Sequence, residues 1–167
     1  MKTLYLLRHA DADWGEKGSK DFDRPLSSAG QNQCLSVADY ITQRKIKPDL
    51  VLCSTAKRTL ETCNTINKTL NSTWPIQKTK ALYLCNIIQL IHEINMVSDD
   101  YAHVLMVGHN PALQEVSWLL SSKSDSTLMR SVETGFPPAT LTTHSFNCDH
   151  WSEVDKGLGV LKDVYKV

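Results

Sequence analysis

Leu4-Tyr5-Leu6-Leu7 is an unbroken apolar run that stops abruptly at Arg8 and His9. A strand with one face in water alternates apolar and polar residues. Apolar residues in succession need cover on both faces, as at the centre of a parallel sheet flanked by helices. Two more such runs, Leu50-Val51-Leu52-Cys53 and Val104-Leu105-Met106-Val107, follow along the chain with helix-forming stretches between them. The alternation predicts an α/β fold: a three-layer α/β/α sandwich around a mostly parallel central sheet.

The connecting stretches fill in the rest. Residues 11–27 form a polar loop holding Trp14, two glycines and Asp21-Phe22-Asp23-Arg24-Pro25. Ser28 through Gln31 fits a capping box for a helix to about Lys45, with Cys34, Val37, Ala38 and Ile41 on its apolar face. Ser54-Thr55 turns the chain into a second helix, whose face is Ala56, Leu60, Cys63, Ile66 and Leu70. Residues 76–80 read as a strand, 86–97 as a strongly apolar helix, and Pro111 opens a helix through Leu120. Residues 121–126, and more widely 121–135, read as a surface loop. Residues 139–146 and 151–154 suggest a β-hairpin, and residues 157–167 have no assignment.

With 167 residues, no repeat and no linker, one domain over residues 1–167 is the expectation. Lysines plus arginines equal acidic residues, 18 against 18, so no global field favours nucleic acid or an anionic membrane. Five scattered cysteines without a C-x-x-C pair argue against a disulfide framework or a structural zinc site and for a reducing compartment. No apolar run spans a bilayer and no leader precedes the first strand, so the expectation is a soluble, cytoplasmic protein. A neutral chain without heptads is expected to be a monomer.

Ligands of open α/β sheets bind beyond the carboxyl ends of the strands. Arg8-His9 follows the first buried run, Arg58 lies a helical turn past the second, and His109 follows the third. Parallel strands bring these ends to one edge, although a hundred residues separate the two histidines. Such a cluster suits phosphoryl transfer. A neutral imidazole can attack phosphorus, and guanidiniums can hold the phosphoryl oxygens while disfavouring imidazolium. A second histidine can donate a hydrogen bond to the phosphoryl group, and the residues require no metal and no cofactor.

Leu7-Arg8-His9-Ala10, Cys53 through Thr59 and Val107-Gly108-His109-Asn110-Pro111 together resemble the three sequence elements of the histidine phosphatase superfamily, the phosphoglycerate mutase-like proteins. Asp23-Arg24-Pro25-Leu26-Ser27 and the small size resemble the SixA-type phosphohistidine phosphatase branch. The resemblance covers the chain to about Phe146. It implies that His9 is the nucleophile, that Arg8 and Arg58 bind the phosphoryl group, that His109 completes the pocket, and that Arg24 adds a phosphate or substrate contact. Larger members carry a carboxylic acid after the fourth strand to protonate an alcohol leaving group. Leu82-Tyr83-Leu84-Cys85-Asn86 has none, which favours a phosphoramidate, whose imidazole leaves more readily. Asp11 or Asp13 remains an alternative proton source. The expected substrate is a phosphohistidine-carrying protein, with a small phosphorylated metabolite as the alternative.

Other readings stand beside these. Ser54 either binds phosphate or caps the helix that follows, and Arg24 can pair with Asp21 or Asp23. His92, His103, His144 and His150 read as structural or solvent-facing. Four residues separate Cys53 from Arg58, one fewer than the loop of a cysteine-dependent phosphatase needs. Asp11-Ala12-Asp13 lies beyond the strand end that a magnesium-dependent aspartyl phosphohydrolase would use. A non-catalytic phosphate-binding module has no need of a nucleophile at His9.

Overall fold

The computed structural model describes residues 1–14, 18–121 and 124–167. Its six strands are β1 (Lys2–Arg8), β2 (Leu50–Ser54), β3 (Ile76–Thr79), β4 (His103–Gly108), β5 (Leu141–Phe146) and β6 (Gly159–Tyr165), and they lie in the order β3-β2-β4-β1-β5-β6. The first four are parallel to one another, and β5 runs antiparallel to both β1 and β6. Helices α1 (Ser28–Gln43) and α2 (Lys57–Thr69) cover one face. Helices α3 (Ile87–Asn95), α4 (Ala112–Leu120) and α5 (Ser126–Glu133) cover the other.

The three apolar runs are the adjacent interior strands β2, β4 and β1, and each divides its side chains between two cores. Leu4 and Leu6, Leu50 and Leu52, and Val104 and Met106 pack towards α3 and α4. Tyr5 and Leu7, Val51 and Cys53, and Leu105 and Val107 pack towards α1 and α2. Successive strand side chains point to opposite faces, and here both faces are dry.

Four sequence expectations need correcting. The cap of α1 is Ser27, whose Oγ accepts from the Gly30 amide at 2.9 Å, so the capping serine is one residue earlier than expected. Residues 126–133, expected within a loop, form α5, because Asp125 caps it by accepting from the Thr127 and Leu128 amides. Ser122 and Lys123 of the expected loop 121–126 lie outside the described residues, as do Gly15, Glu16 and Lys17 of the loop 11–27. Trp151–Glu153 is a 3-10 turn, not a strand. The Trp151 ring is fully buried, and its backbone and indole N–H groups donate to Asp99 and to the Tyr101 carbonyl. The partner of β5 is β6, which the irregularity between Thr143 and His144 separates from a regular hairpin pattern.

Candidate active site

Register assembles the site. Arg8, the last residue of β1, pairs with Gly108, the last of β4, and Cys53 of β2 pairs with Val107. The residues that follow, His9, His109 and Ser54, are therefore neighbours at one sheet edge, and the two imidazoles lie 5.2 Å apart between centroids. Arg58 reaches them from the first turn of α2, buried like both histidines.

Partners fix the state of each ring. A carbonyl only accepts, so the 2.8 Å contact of His9 Nδ1 with the Ala10 carbonyl puts the proton on Nδ1 and leaves the Nε2 lone pair bare. Arg58 Nε donates towards that lone pair at 3.2 Å. Arg58 Nη2 also approaches His109 Nδ1 at 3.2 Å, so that nitrogen accepts and His109 Nε2–H donates to Ser54 Oγ at 2.9 Å. Burial depresses the His9 pKa to about 4, with Arg58, Arg8 and Arg24 adding to the effect against the opposing Ala10 hydrogen bond. His109 is depressed to about 3 by burial, then by His9 and Arg58. Both rings are neutral at physiological pH.

Arg8 donates through Nη1 to the Phe136 carbonyl at 2.6 Å, while its buried Nε has no hydrogen-bond partner among the described residues. Buried donors are almost always satisfied, so an orphaned guanidinium N–H at a cationic strand end is suited to an anionic oxygen. Ser54 serves His109, and its contact with the Ala56 amide is long at 3.5 Å. Arg24 stands at the rim. It donates to the Ala12 and Asp13 carbonyls, pairs with Asp21 at 3.3 Å and lies 4.1 Å over the Trp14 ring.

Sequence reasoning missed two residues, Asp21 and Tyr83. Arg58 Nη1 donates to the Asp21 carbonyl at 2.6 Å and Nη2 to its carboxylate at 3.1 Å, and the Tyr83 hydroxyl donates to the same carboxylate oxygen at 2.9 Å. Burial would raise the Asp21 carboxyl, but Tyr83, Arg58 and Arg24 outweigh it and hold the group below its usual range. The segment 82–86 carries no acid of its own, as expected, yet its tyrosine grips a carboxylate delivered by another loop.

The rival nucleophile Cys53 and the rival acid Asp11 are engaged elsewhere. The buried Cys53 thiol is pushed up by its hydrogen bond with Cys63 and by burial, which removes the thiolate a cysteine phosphatase needs. Asp11 accepts from Ser27 Oγ at 2.6 Å and serves the entry to α1.

Residues 4–84 match the family model of the histidine phosphatase superfamily, branch 1. An uncharacterised protein of Mycobacterium tuberculosis is 28% identical over 157 residues, covering 93% of this chain and 96% of its own. A structure assigned to phosphohistidine phosphatase SixA from Agrobacterium tumefaciens superposes with a TM-score of 0.84 at 27% identity, over 99% of this chain and 98% of that one. In the family model, the relative and the structure alike, the chain is similar to the histidine phosphatase superfamily. A second SixA-assigned structure, from Nakamurella multipartitia, gives a TM-score of 0.85 at 25% identity over 99% of this chain and 95% of that one. The sandwich described above is thus the phosphoglycerate mutase-like fold in its SixA-type form, and the protein is a phosphatase.

Proposed function

We propose that this histidine phosphatase removes the phosphoryl group of phosphohistidine from partner proteins, such as phosphotransfer domains, through a covalent intermediate on His9. The state of His9 carries the reading: a neutral ring, its Nδ1–H held by the Ala10 carbonyl, presenting a bare Nε2 among guanidiniums. Nε2 attacks phosphorus, the bond to the leaving group breaks, and the positive charge gained by the His9 ring is stabilised at the Ala10 carbonyl. Arg58 and the free Nε–H of Arg8 hold the equatorial oxygens, where charge spreads in the transition state. Ser54 can donate to His109 Nε2 as readily as accept from it. Its rotation therefore allows Nδ1 to carry a proton and donate to the phosphoryl group once Arg58 turns to the substrate.

Two observations support a protein phosphohistidine over a small ester. Asp21, the carboxylate at the cluster, is held ionised, which makes it a poor proton donor to an alkoxide; imidazole leaves without one. Trp14 beneath Arg24 and Leu84 next to Tyr83 are large apolar side chains left exposed, as is Ile88 on α3, and a cleft lined by Ile87, Pro111 and Trp118 begins two residues past His109. Such a rim suits a protein surface. The likeness to SixA-assigned structures agrees.

The test offers a phosphohistidine protein and a phosphoserine peptide side by side, with chelator, to the wild type and His9→Ala. Rapid loss of phosphohistidine alone, dependent on His9, is the expected result. Equal turnover of the phosphoserine ester would replace the reading with a general phosphomonoesterase, and activity surviving in His9→Ala would overturn the mechanism.

A further inference from the structure

We propose that Asp21 is the catalytic base of the second half-reaction, accepting the proton of the water that hydrolyses phospho-His9; this rests on the phospho-His9 reading above. Arg58 spans the two groups, with Nε 3.2 Å from His9 Nε2 and Nη2 3.1 Å from the Asp21 carboxylate. A phosphoryl group seated on that guanidinium and bonded to His9 therefore shares Arg58 with the Asp21 carboxylate, which stands within reach of a water attacking that group.

The carboxylate is built in rather than left loose. Arg58 of α2 and the Tyr83 hydroxyl both donate to Oδ2, and Arg24 reaches Oδ1 at 3.3 Å. His109, neutral at the end of β4, is within electrostatic reach. The Tyr83 ring is wedged edge-on between Phe22, 5.0 Å away, and His109, 5.5 Å away, so the hydroxyl that aims Asp21 is itself fixed. A general base must be in the ionised form when the water arrives, and the surrounding donors keep it there.

Water oxygen bonds to phosphorus as the P–Nε2 bond breaks and its electron pair returns to Nε2. The His9 proton stays on Nδ1, still donated to the Ala10 carbonyl, one water proton passes to the Asp21 carboxylate and then to solvent, and inorganic phosphate leaves. No other reactant is needed.

A merely structural Asp21 would clamp Arg58 and slow both half-reactions. Asp21→Asn separates the two roles, because the amide oxygen and the backbone carbonyl still accept from Arg58 while the basic carboxylate is gone. With a radiolabelled phosphohistidine protein in rapid-quench experiments, phospho-His9 formation should stay within about threefold of wild type. Hydrolysis should fall on the order of 100-fold, the usual scale of a lost general base. Labelled, acid-labile phosphoenzyme then accumulates in the variant and not in the wild type. Tyr83→Phe, which keeps the base but loosens its aim, should slow hydrolysis by about tenfold at unchanged formation. Formation and hydrolysis falling together in Asp21→Asn would overturn the inference and leave a clamp. Unchanged or faster turnover with tighter inorganic phosphate binding would overturn it and leave a plug on Arg58. His9→Ala run in parallel keeps the two failures apart, since only activity without His9 removes the phospho-His9 reading itself.

Discussion

Arg58 Nε donates directly to the Nε2 lone pair of His9 over 3.2 Å, so the anion-binding guanidinium and the candidate nucleophile are in contact before any phosphoryl group arrives. The contact keeps a proton off Nε2 and marks the place where the phosphoryl oxygens must exchange for the ring nitrogen. It also joins both histidines and Asp21 through one side chain.

Arg58→Ala should therefore lower kcat/KM by about 100- to 1000-fold, the loss typical of one preorganised transition-state donor. Arg58→Lys should recover little, since a point charge on a flexible stem cannot touch His9, His109 and a phosphoryl group with a planar fork. Steady-state kinetics on a phosphohistidine protein checks both, and near-wild-type activity in the lysine variant would contradict the geometric role.

The His9 ring, with its pKa depressed to about 4, should show no titration shift between pH 8 and 5 in NMR spectra assigned with His9→Ala. The sign follows from burial first and the flanking cations second, both of which disfavour the imidazolium. A His9 resonance titrating near 6.5 would remove the neutral nucleophile on which the mechanism depends.

Ser54→Ala leaves the His9 nucleophile untouched but strands His109 Nε2–H in a buried place, at a cost of about 1–3 kcal/mol. Activity should fall on the order of tenfold and stability by that cost, with Ser54→Thr restoring the hydroxyl and most of both. Tight phosphate binding with lost stability only would mean that Ser54 holds the sheet edge and nothing more.

The contrast between Arg58 and Asp21 shows what sequence made legible. Both-face burial leaves uninterrupted runs in the central strands, parallel pairing aligns their ends, and so Arg8, His9, Arg58 and His109 were readable as one cluster although far apart in the chain. Asp21 and Tyr83 meet through loops from different crossovers, a contact that no periodicity encodes. The one local sign was the density of charge in Asp21-Phe22-Asp23-Arg24 beside a polar loop. Ser27 and Ser28 are equally good caps by residue type, and only the close approach of the chain at Asp11 selects the first. Strand β6 went unread because its alternation of Val160, Leu161 and Val164 is interrupted where its pairing with β5 shifts.

That close approach gives a test of the fold next to the site. A methyl group on Gly30 would lie 2.0 Å from the Asp11 carbonyl oxygen, which already accepts from the Ser27 amide at 3.0 Å. Backbone, unlike the tip of a flexible side chain, can retreat only by dragging Ala10 and His9 with it. Gly30→Ala should cost about 2–3 kcal/mol or more in denaturant unfolding and lower activity as well, whereas a wild-type midpoint would mean that α1 docks more loosely than the geometry states.

Acid stability follows from the same buried imidazoles. His144, fully buried, shares hydrogen bonds with Ser121 Oγ and Thr142 Oγ1, and burial depresses its pKa to about 3. With His9 at about 4 and His109 at about 3, all three bind protons in the unfolded chain near pH 6.5 but not in the folded one. Between those values the unfolded state holds more protons, so their contribution is complete above pH 6.5 and is lost as pH falls towards 4. His150, raised by its contact with Asp99, works in the opposite sense, since its contribution fades as pH rises. The buried set outweighs it in number and in isolation from water. Unfolding free energy measured with denaturant should therefore drop steadily from pH 6.5 to 4. His144→Gln, whatever its effect on absolute stability, should reduce that slope by about 1.4 kcal/mol per pH unit, the contribution of one proton. An unchanged slope would mean that His144 titrates alike in the folded and unfolded chain and would contradict its sealed position on β5 against Ser121 at the end of α4.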